Sequence, residues 1–235
     1  ATPATIAITH SVFNITATLV WLPFSNLLVK LACLTIRDDK VDEVSREDQE
    51  FMILESRFLE KPAFAVEQGR NAAKHMEQDS RKILDIALGL IYSYSDEQAE
   101  RVQKLESKID RYEDELGTYL VKLNNKDLSE RDSHSVSIML HCIGDFERIS
   151  DHAVNIMESA QELHEKNISF SPQARNELQV LIAVVSRIVD TAYQVFDKQD
   201  LNLTRDVEPL EEIVDELSKE LKRRHVNRLR LGECT

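Results

Sequence analysis

Residues 147–152 read Glu-Arg-Ile-Ser-Asp-His, and Asn155 follows one helical turn later. Side chains four residues apart lie on nearly the same face of an α-helix, so Glu147, Asp151 and Asn155 form one line of oxygen atoms. We expect this line to run beside a core-facing stripe formed by Ile149, Ala153 and Ile156. Carboxylates beside a core are costly unless they are paired, hydrogen-bonded or bound to a cation. The stretch therefore predicts a long helix with an acidic face suited to a cation.

Two further acidic pairs have the same spacing, Glu106/Asp110 and Glu211/Asp215, and a shift of 105 residues superposes one on the other. A repeat of this length predicts a duplicated supersecondary unit. The same shift carries Glu147 and Asp151 past Thr235, so we expect the second unit to lack its last helix. Because the chain also begins at Ala1 within an apolar run, we expect an internal piece of a longer protein.

The composition favours long amphipathic helices. The 235 residues include five Gly and five Pro, and 30% of them are charged. So few Gly and Pro residues, which interrupt helices, indicate an all-α fold. A net charge of −13 argues against a protein that binds nucleic acid or an anionic surface. Cys33, Cys142 and Cys234 are far apart, which favours a reducing cytoplasm over a disulfide framework.

The N-terminal stretch predicts a membrane segment. Residues 1–29 contain no Asp, Glu, Lys or Arg, and the apolar run is long enough to span a bilayer. The alternative is a buried helix of a soluble fold. His10 and Asn14 lie four residues apart on this segment, and either a transport path or a helix–helix hydrogen bond would account for them.

The expected organisation has four parts. Residues 1–36 form the membrane segment, and residues 37–50 form a charged linker. A first repeat occupies residues 51–168 and a truncated second repeat occupies residues 169–235. The periodicity predicts five helices at residues 62–94, 97–123, 131–166, 172–198 and 206–229. Asp96 is the expected N-cap of the second helix, and Gly232 is the expected end of the fifth.

The acidic pairs predict a metal site. The second and third helices of an antiparallel bundle touch, so Glu106 and Asp110 are expected to face Glu147 and Asp151. Converging carboxylates suit iron, zinc or another divalent cation. Glu211 and Asp215 are the related candidates in the second repeat, and Asn155 is an outer partner. The alternative is a set of solvated acidic faces, which a chain with 42 Asp and Glu can form by chance.

We do not expect an enzyme. A ferritin-type di-iron oxidase needs a His three residues after a Glu on two of its helices. The residues three before six of the histidines are Ala72, Arg131, Ile138, Ile149, Gln161 and Lys222, and none is Glu.

The fifth predicted helix ends in a basic cluster formed by Lys219, Lys222, Arg223, Arg224, Arg228 and Arg230. These side chains could bind phosphate or touch a membrane surface. Cations also complement the dipole at a helix C-terminus, and we favour that simpler interpretation.

The stretch Glu-Arg-Ile-Ser-Asp-His-Ala-Val-Asn-Ile at residues 147–156 resembles the signature helix of PhoU domains. The resemblance implies two repeated three-helix bundles, in which Glu/Asp-xxx-Asp pairs bind metal clusters. It would place the domain in the cytoplasm.

The N-terminal residues resemble a second family. His10-Ser-Val-Phe-Asn14 and Leu22-Pro-Phe24 are similar to the last membrane segment of sodium/phosphate cotransporters, some of which carry a C-terminal PhoU domain. The tracts at residues 58–65 and 224–229 are similar to that joined architecture. This resemblance implies a multi-pass protein of the inner cell membrane that binds sodium and inorganic phosphate, contacts the bilayer and is compatible with a homo-oligomer. The alternative is a stand-alone PhoU-like regulator of phosphate signalling with no transport role.

Overall fold

The computed structural model describes residues 9–16, residue 18 and residues 50–233. The chain divides into two compact units, Ala1–Glu50 and Phe51–Thr235. In the first unit, residues 9–16 are helical. His10 Nδ1 and Asn14 Nδ2 lie 3.0 Å apart on that helix, in hydrogen-bonding contact, and both side chains are exposed. Most of the predicted membrane segment and nearly all of the predicted linker lie outside the described residues.

The second unit confirms the all-α fold class. Its five helices are α1 (Pro62–Leu90), α2 (Asp96–Asn124), α3 (Glu130–Glu165), α4 (Pro172–Lys198) and α5 (Val207–Leu231). Short 3-10 turns occupy Met52–Leu54, Ser56–Glu60 and Leu201–Asp206. Within the described ranges, no residue lies in a β-strand.

Helices α1, α2 and α3 form a bundle around one apolar core. Each contributes a stripe spaced three or four residues apart, as an amphipathic helix requires. On α2 the stripe is Ile109, Tyr112 and Leu116, all fully buried. On α3 it is Phe146, Ser150, Ala153 and Met157. Ile149 and Ile156 are only half-buried, so the expected stripe of α3 is displaced around the helix by about one residue.

A glycine allows α1 and α2 to approach closely. A Cβ atom added at Gly69 would lie 3.1 Å from Leu120 Cδ2. Leu120 is fully buried and cannot move outward without disturbing the core. The absence of a side chain at residue 69 therefore sets the spacing of these two helices.

Helices α4 and α5 form a second layer that meets the bundle through polar contacts and through the rings of Tyr193 and Phe196, whose centroids lie 5.9 and 5.1 Å from that of Phe146. The Tyr193 hydroxyl lies 2.9 Å from Ser80 Oγ, and Ser80 also donates to the carbonyl of Phe146 at 3.1 Å. Arg81 pairs with Asp190 at 3.1 Å. Since Ser80 and Tyr193 are almost completely buried, these bonds satisfy groups that would otherwise be costly.

The predicted end of α5 is confirmed, whereas the predicted N-cap of α2 is wrong by one residue. Gly232 ends α5 with φ at 71°, in the left-handed region that glycine adopts without strain. The N-cap of α2 is Ser95 and not Asp96, which is the first residue of the helix. Asp96 still favours the helix, because a carboxylate in the first turn complements the dipole.

The order of helices agrees with a repeat, but the duplication stays a prediction. Helices α1 and α2 each have 29 residues, whereas α4 and α5 have 27 and 25. The test is whether Asp85, Glu106 and Asp110 superpose on their counterparts 105 residues later.

Helix α4 has the length and the apolar composition of a membrane span. Only 6% of its most apolar stretch is buried. The helix packs on α5 and on the side of the bundle, and Tyr193 is its one buried residue within the described chain. Length and apolar composition alone are weak support for membrane insertion, because core helices of soluble proteins share both properties.

Two tyrosines test the contacts between the layers. Tyr193→Phe removes a hydroxyl that bonds Ser80, so we expect the free energy of unfolding to fall by about 1 kcal/mol. Tyr92→Phe is the matched control. The Tyr92 hydroxyl is buried and has no hydrogen-bond partner within the described part of the chain. Its removal should leave stability within about 0.5 kcal/mol of the parent or raise it slightly. Urea denaturation measures both, and equal losses would contradict the assignment.

Candidate metal centre

The site lies where α2 packs against α3. A loop of five residues, 125–129, joins the two helices, so they run antiparallel. The buried stripes of both helices fix their rotation, which leaves the acidic positions beside the interface. Residues early in α2 consequently face residues late in α3.

Three of the predicted carboxylates converge. One oxygen from each of Glu106, Asp110 and Asp151 lies within 4.8 Å of the other two. Glu106 is half-buried, whereas Asp110 and Asp151 are exposed. Ser107 Oγ donates to Glu106 Oε2 at 3.2 Å. The structure therefore brings together one pair from α2 and one partner from α3.

The fourth predicted carboxylate lies next to this group. Glu147 is half-buried one turn before Asp151, and its carboxyl lies within hydrogen-bonding reach of Asp151. Its charge also interacts with Asp110 and Glu113. It stands beside the three converging oxygens and completes an acidic ridge along the helix interface.

Partial burial and mutual repulsion disfavour negative charge here. Desolvation raises the pKa of Glu106, and the charges of Asp110 and Asp151 raise it further. The pKa of Asp110 is raised by desolvation and then by Asp151 and Asp114. Desolvation also raises the pKa of Glu147, with added repulsion from Asp151. Each of the three groups would be more easily ionised beside a cation.

Two acidic neighbours were missed by the sequence analysis. Asp114 acts on Asp110, and Glu113 acts on Glu147. Asp114 continues the four-residue spacing of Glu106 and Asp110 for one more turn, so the spacing itself could have identified it. Glu113 has no such signal, because its proximity to Glu147 depends on how the two helices pack.

The remaining candidates lie apart from this cluster. Glu211 and Asp215 are exposed on α5, and Asp215 pairs with Lys219 at 3.6 Å. Among the described residues, neither belongs to a group of three potential ligands. Asn155 is exposed one turn beyond Asp151. Its backbone carbonyl accepts a hydrogen bond from the Ser159 hydroxyl at 2.8 Å.

The donor set selects a class of cation. All three converging groups offer carboxylate oxygen, which suits hard divalent cations and oxygen-ligated iron. Zinc more often takes histidine or cysteine ligands. With water completing the coordination, a cation could bridge α2 and α3 at this point.

Comparison with known proteins supports one of the two resemblances. The sequence model of the PhoU domain family matches residues 73–160. A relative is the phosphate-specific transport system accessory protein PhoU homolog 1 of Thermotoga maritima, 30% identical over 91 residues. That match covers 39% of this chain and 38% of the relative's length. No solved structure shows a significant match to the chain.

These matches give no support to the sodium/phosphate cotransporter resemblance. Residues 73–160 run from within α1 to near the end of α3, and they contain both acidic pairs that meet across the helix interface. The segment that carries the candidate metal centre is therefore similar to the PhoU domain.

Proposed function

We propose that the chain contains a PhoU-like regulatory domain for phosphate transport, in which Glu106, Asp110 and Asp151 hold a divalent cation and Glu147 assists. The observation that supports this proposal is the convergence of the three carboxylate oxygens within 4.8 Å of one another. The cation stabilises contact between α2 and α3, and its binding or loss alters the surface offered to a partner. No catalytic step is part of this function.

The energetics support a cation more than a chance cluster. Three carboxylates around one point repel one another, and partial burial weakens their interaction with water. A divalent cation offsets both, because it supplies positive charge at the centre of the group.

The regulatory role is supported by the relative's name, which describes an accessory protein of phosphate transport. The chain matches 38% of that relative, so the role in this chain is part of the proposal. A stand-alone regulator accounts for the described helices without any transport site. In that role the domain acts in the cytoplasm.

A second candidate function is a domain joined to a sodium-dependent phosphate transporter. The observation that favours it is the absence of charged residues from positions 1–29. In this form the segment at residues 1–36 anchors the protein in the inner membrane, while residues 51–235 remain cytoplasmic. Residues 37–50 link the two parts.

Fractionation in the native organism separates the two candidates. For a stand-alone regulator, we expect the full-length protein in the soluble fraction once the membranes have been washed with high salt, which releases proteins held at the surface by charge. Gene deletion should then alter the phosphate-dependent expression of transport genes without removing a sodium-dependent component of phosphate uptake. Recovery in the membrane fraction, together with loss of sodium-driven uptake on deletion, would favour the transporter.

Metal content tests the proposed centre. The purified chain, dialysed against a limiting amount of iron or manganese, should retain about one ion, because three carboxylates match a single cation site. Glu106→Gln with Asp110→Asn removes two negative charges at nearly constant shape and should abolish retention. The matched control is Glu211→Gln with Asp215→Asn, which changes the exposed pair of the same spacing on α5. Elemental analysis would contradict the site if both double variants lose the ion or both keep it.

In the cation-free protein, the acidic cluster should destabilise the fold less as pH falls from neutral. The pKa values of Glu106, Asp110 and Glu147 are raised in the folded state, so the folded protein binds protons more tightly than the unfolded chain. The contribution of these groups to the free energy of unfolding therefore rises as pH falls through their raised pKa values. The gain is complete below the pKa of an ordinary carboxylate, ~4.

Melting temperatures measured with a chelator present test this predicted direction of the pH dependence. The Glu106→Gln/Asp110→Asn variant should melt above the parent at neutral pH, and the difference should shrink toward pH ~4. Saturating divalent cation should reverse the order at neutral pH. A difference that is independent of pH would show that the carboxylates do not repel one another.

A further inference from the structure

The charges of α5 are divided along its length. Its first ten residues carry only acidic charges, at Glu208, Glu211, Glu212, Asp215 and Glu216. From Lys219 to Arg230 the helix carries six Lys and Arg and a single Glu. A helix dipole acts mainly on the last turn, whereas this basic run covers three turns. The dipole therefore does not explain the whole run.

Some of the basic side chains have structural partners. Arg228 is buried and pairs with Glu177 of α4 at 2.8 Å, and Arg224 reaches the same carboxylate at 3.3 Å. Arg223 and Arg224 also bond Glu220. The two pairs with Glu177 hold the end of α5 against the beginning of α4, and the bonds to Glu220 lie within α5. They account for three of the six cations.

The other three cations point into solvent. Lys222 and Arg230 are exposed and have no ion-pair partner in the described part of the chain. Lys219 pairs with Asp215 at 3.6 Å, but its side chain is 76% exposed. These side chains serve no packing role in the fold.

Exposed aliphatic side chains lie on the same face. Val226 is 52% exposed and Leu229 is 43% exposed. Spacings of three and four residues place them on one side of the helix with Lys222 and Arg230. We call Lys219, Lys222, Val226, Leu229 and Arg230 the basic–apolar face of α5.

We propose that the basic–apolar face docks the domain on the surface of a bilayer that contains anionic phospholipid. Val226 and Leu229 enter the boundary between headgroups and acyl chains, while the longer Lys and Arg stems reach back to lipid phosphates. Each cation near such a surface adds to the attraction. An aliphatic centre with a cationic border is the complement of an anionic membrane surface.

The net charge of −13 does not oppose this docking. At physiological salt, charges more than about 8 Å from the contact are largely screened. The sign of the contacting face then decides the interaction. The net charge of the whole chain argued against binding to an anionic surface. The positive charge of the contacting face now argues for it.

A second copy of the chain fits this face less well. A stable interface buries about 800 Å² on each partner, which two aliphatic side chains do not supply. Like charges on paired copies of the face would also repel. Nucleic acid would use the cations but would leave the aliphatic side chains unexplained.

Vesicle binding of the full chain tests the proposal. Two vesicle types are compared, phosphatidylcholine alone and phosphatidylcholine mixed with phosphatidylglycerol at about three to one. The measured quantity is the ratio of binding to anionic and neutral vesicles. An uncharged apolar segment elsewhere in the chain would bind anionic and neutral vesicles alike. Its contribution therefore largely cancels in this ratio.

We expect the parent to prefer anionic vesicles. Lys222→Gln with Arg230→Gln should weaken the anionic binding by about thirtyfold, since each cation near the surface contributes about 1 kcal/mol. The matched control is Lys122→Gln with Lys126→Gln, two exposed cations in the last turn of α2 and in the loop after it. It changes the net charge equally and should leave binding intact. Val226→Ser with Leu229→Ser should also weaken anionic binding without loss of helical circular dichroism.

Three results would overturn the proposal. The parent shows no preference for anionic vesicles, the control pair weakens binding as much as the α5 pair does, or the Ser variant binds like the parent. Light scattering identifies the competing occupant, because a dimer that Val226→Ser/Leu229→Ser dissociates would mean that a second copy covers the face.

Discussion

Burial of the apolar stripes on α2 and α3 is the constraint on which the candidate site depends. Ile109, Tyr112 and Leu116 are fully buried, and each such side chain contributes about 2 kcal/mol. Two like charges about 5 Å apart near a protein surface repel by about 3 kcal/mol, which is less than the buried stripes of the two helices contribute together. Packing therefore determines the rotation of both helices, and the carboxylates are brought together against their repulsion. In the proposed function, a cation would turn this cost into a contact between the helices.

The second layer is held by a different kind of interaction. Along the described length of α4 only Tyr193 is buried, and its hydroxyl bonds Ser80 inside the bundle. Lys74 pairs with Asp197 at 2.7 Å, and Arg81 pairs with Asp190, along the same side of α1. The rings of Tyr193 and Phe196 also pack on Phe146, but most of α4 stays exposed. This joint can therefore open at lower cost than the bundle. Desolvation raises the pKa of Glu77 between Lys74 and Arg81, so this joint also carries a titratable group.

The candidate metal centre and the basic–apolar face divide the charge of the domain between two locations. Acidic side chains are gathered on α2 and α3, where partial burial strengthens their repulsion. Basic side chains are gathered on the last three turns of α5, where several remain fully solvated. The net charge of the chain hides this division, because it averages an acidic surface with a basic one. Arguments about partners for this chain depend on the charge of each helix.

The sequence alone determined the all-α class, the order of the five helices and the spacing of the acidic pairs. Helix periodicity and sparse Gly and Pro are local signals, and α4 begins and ends at the predicted residues. The resemblance carried by residues 147–156 anticipated the PhoU match over residues 73–160. Asp114 was also within reach of sequence reasoning, since it extends the four-residue spacing.

Only the tertiary structure decided which acidic pairs meet. Glu106 and Asp110 face Asp151, whereas Glu211 and Asp215 have the same spacing and stay exposed. The proximity of Glu113 to Glu147 and the choice of Ile149 or Ser150 for the core depend on the rotation of α3. That rotation is set by side chains from three helices together. A helical sequence specifies which residues share a face, but the neighbouring helices decide what that face meets.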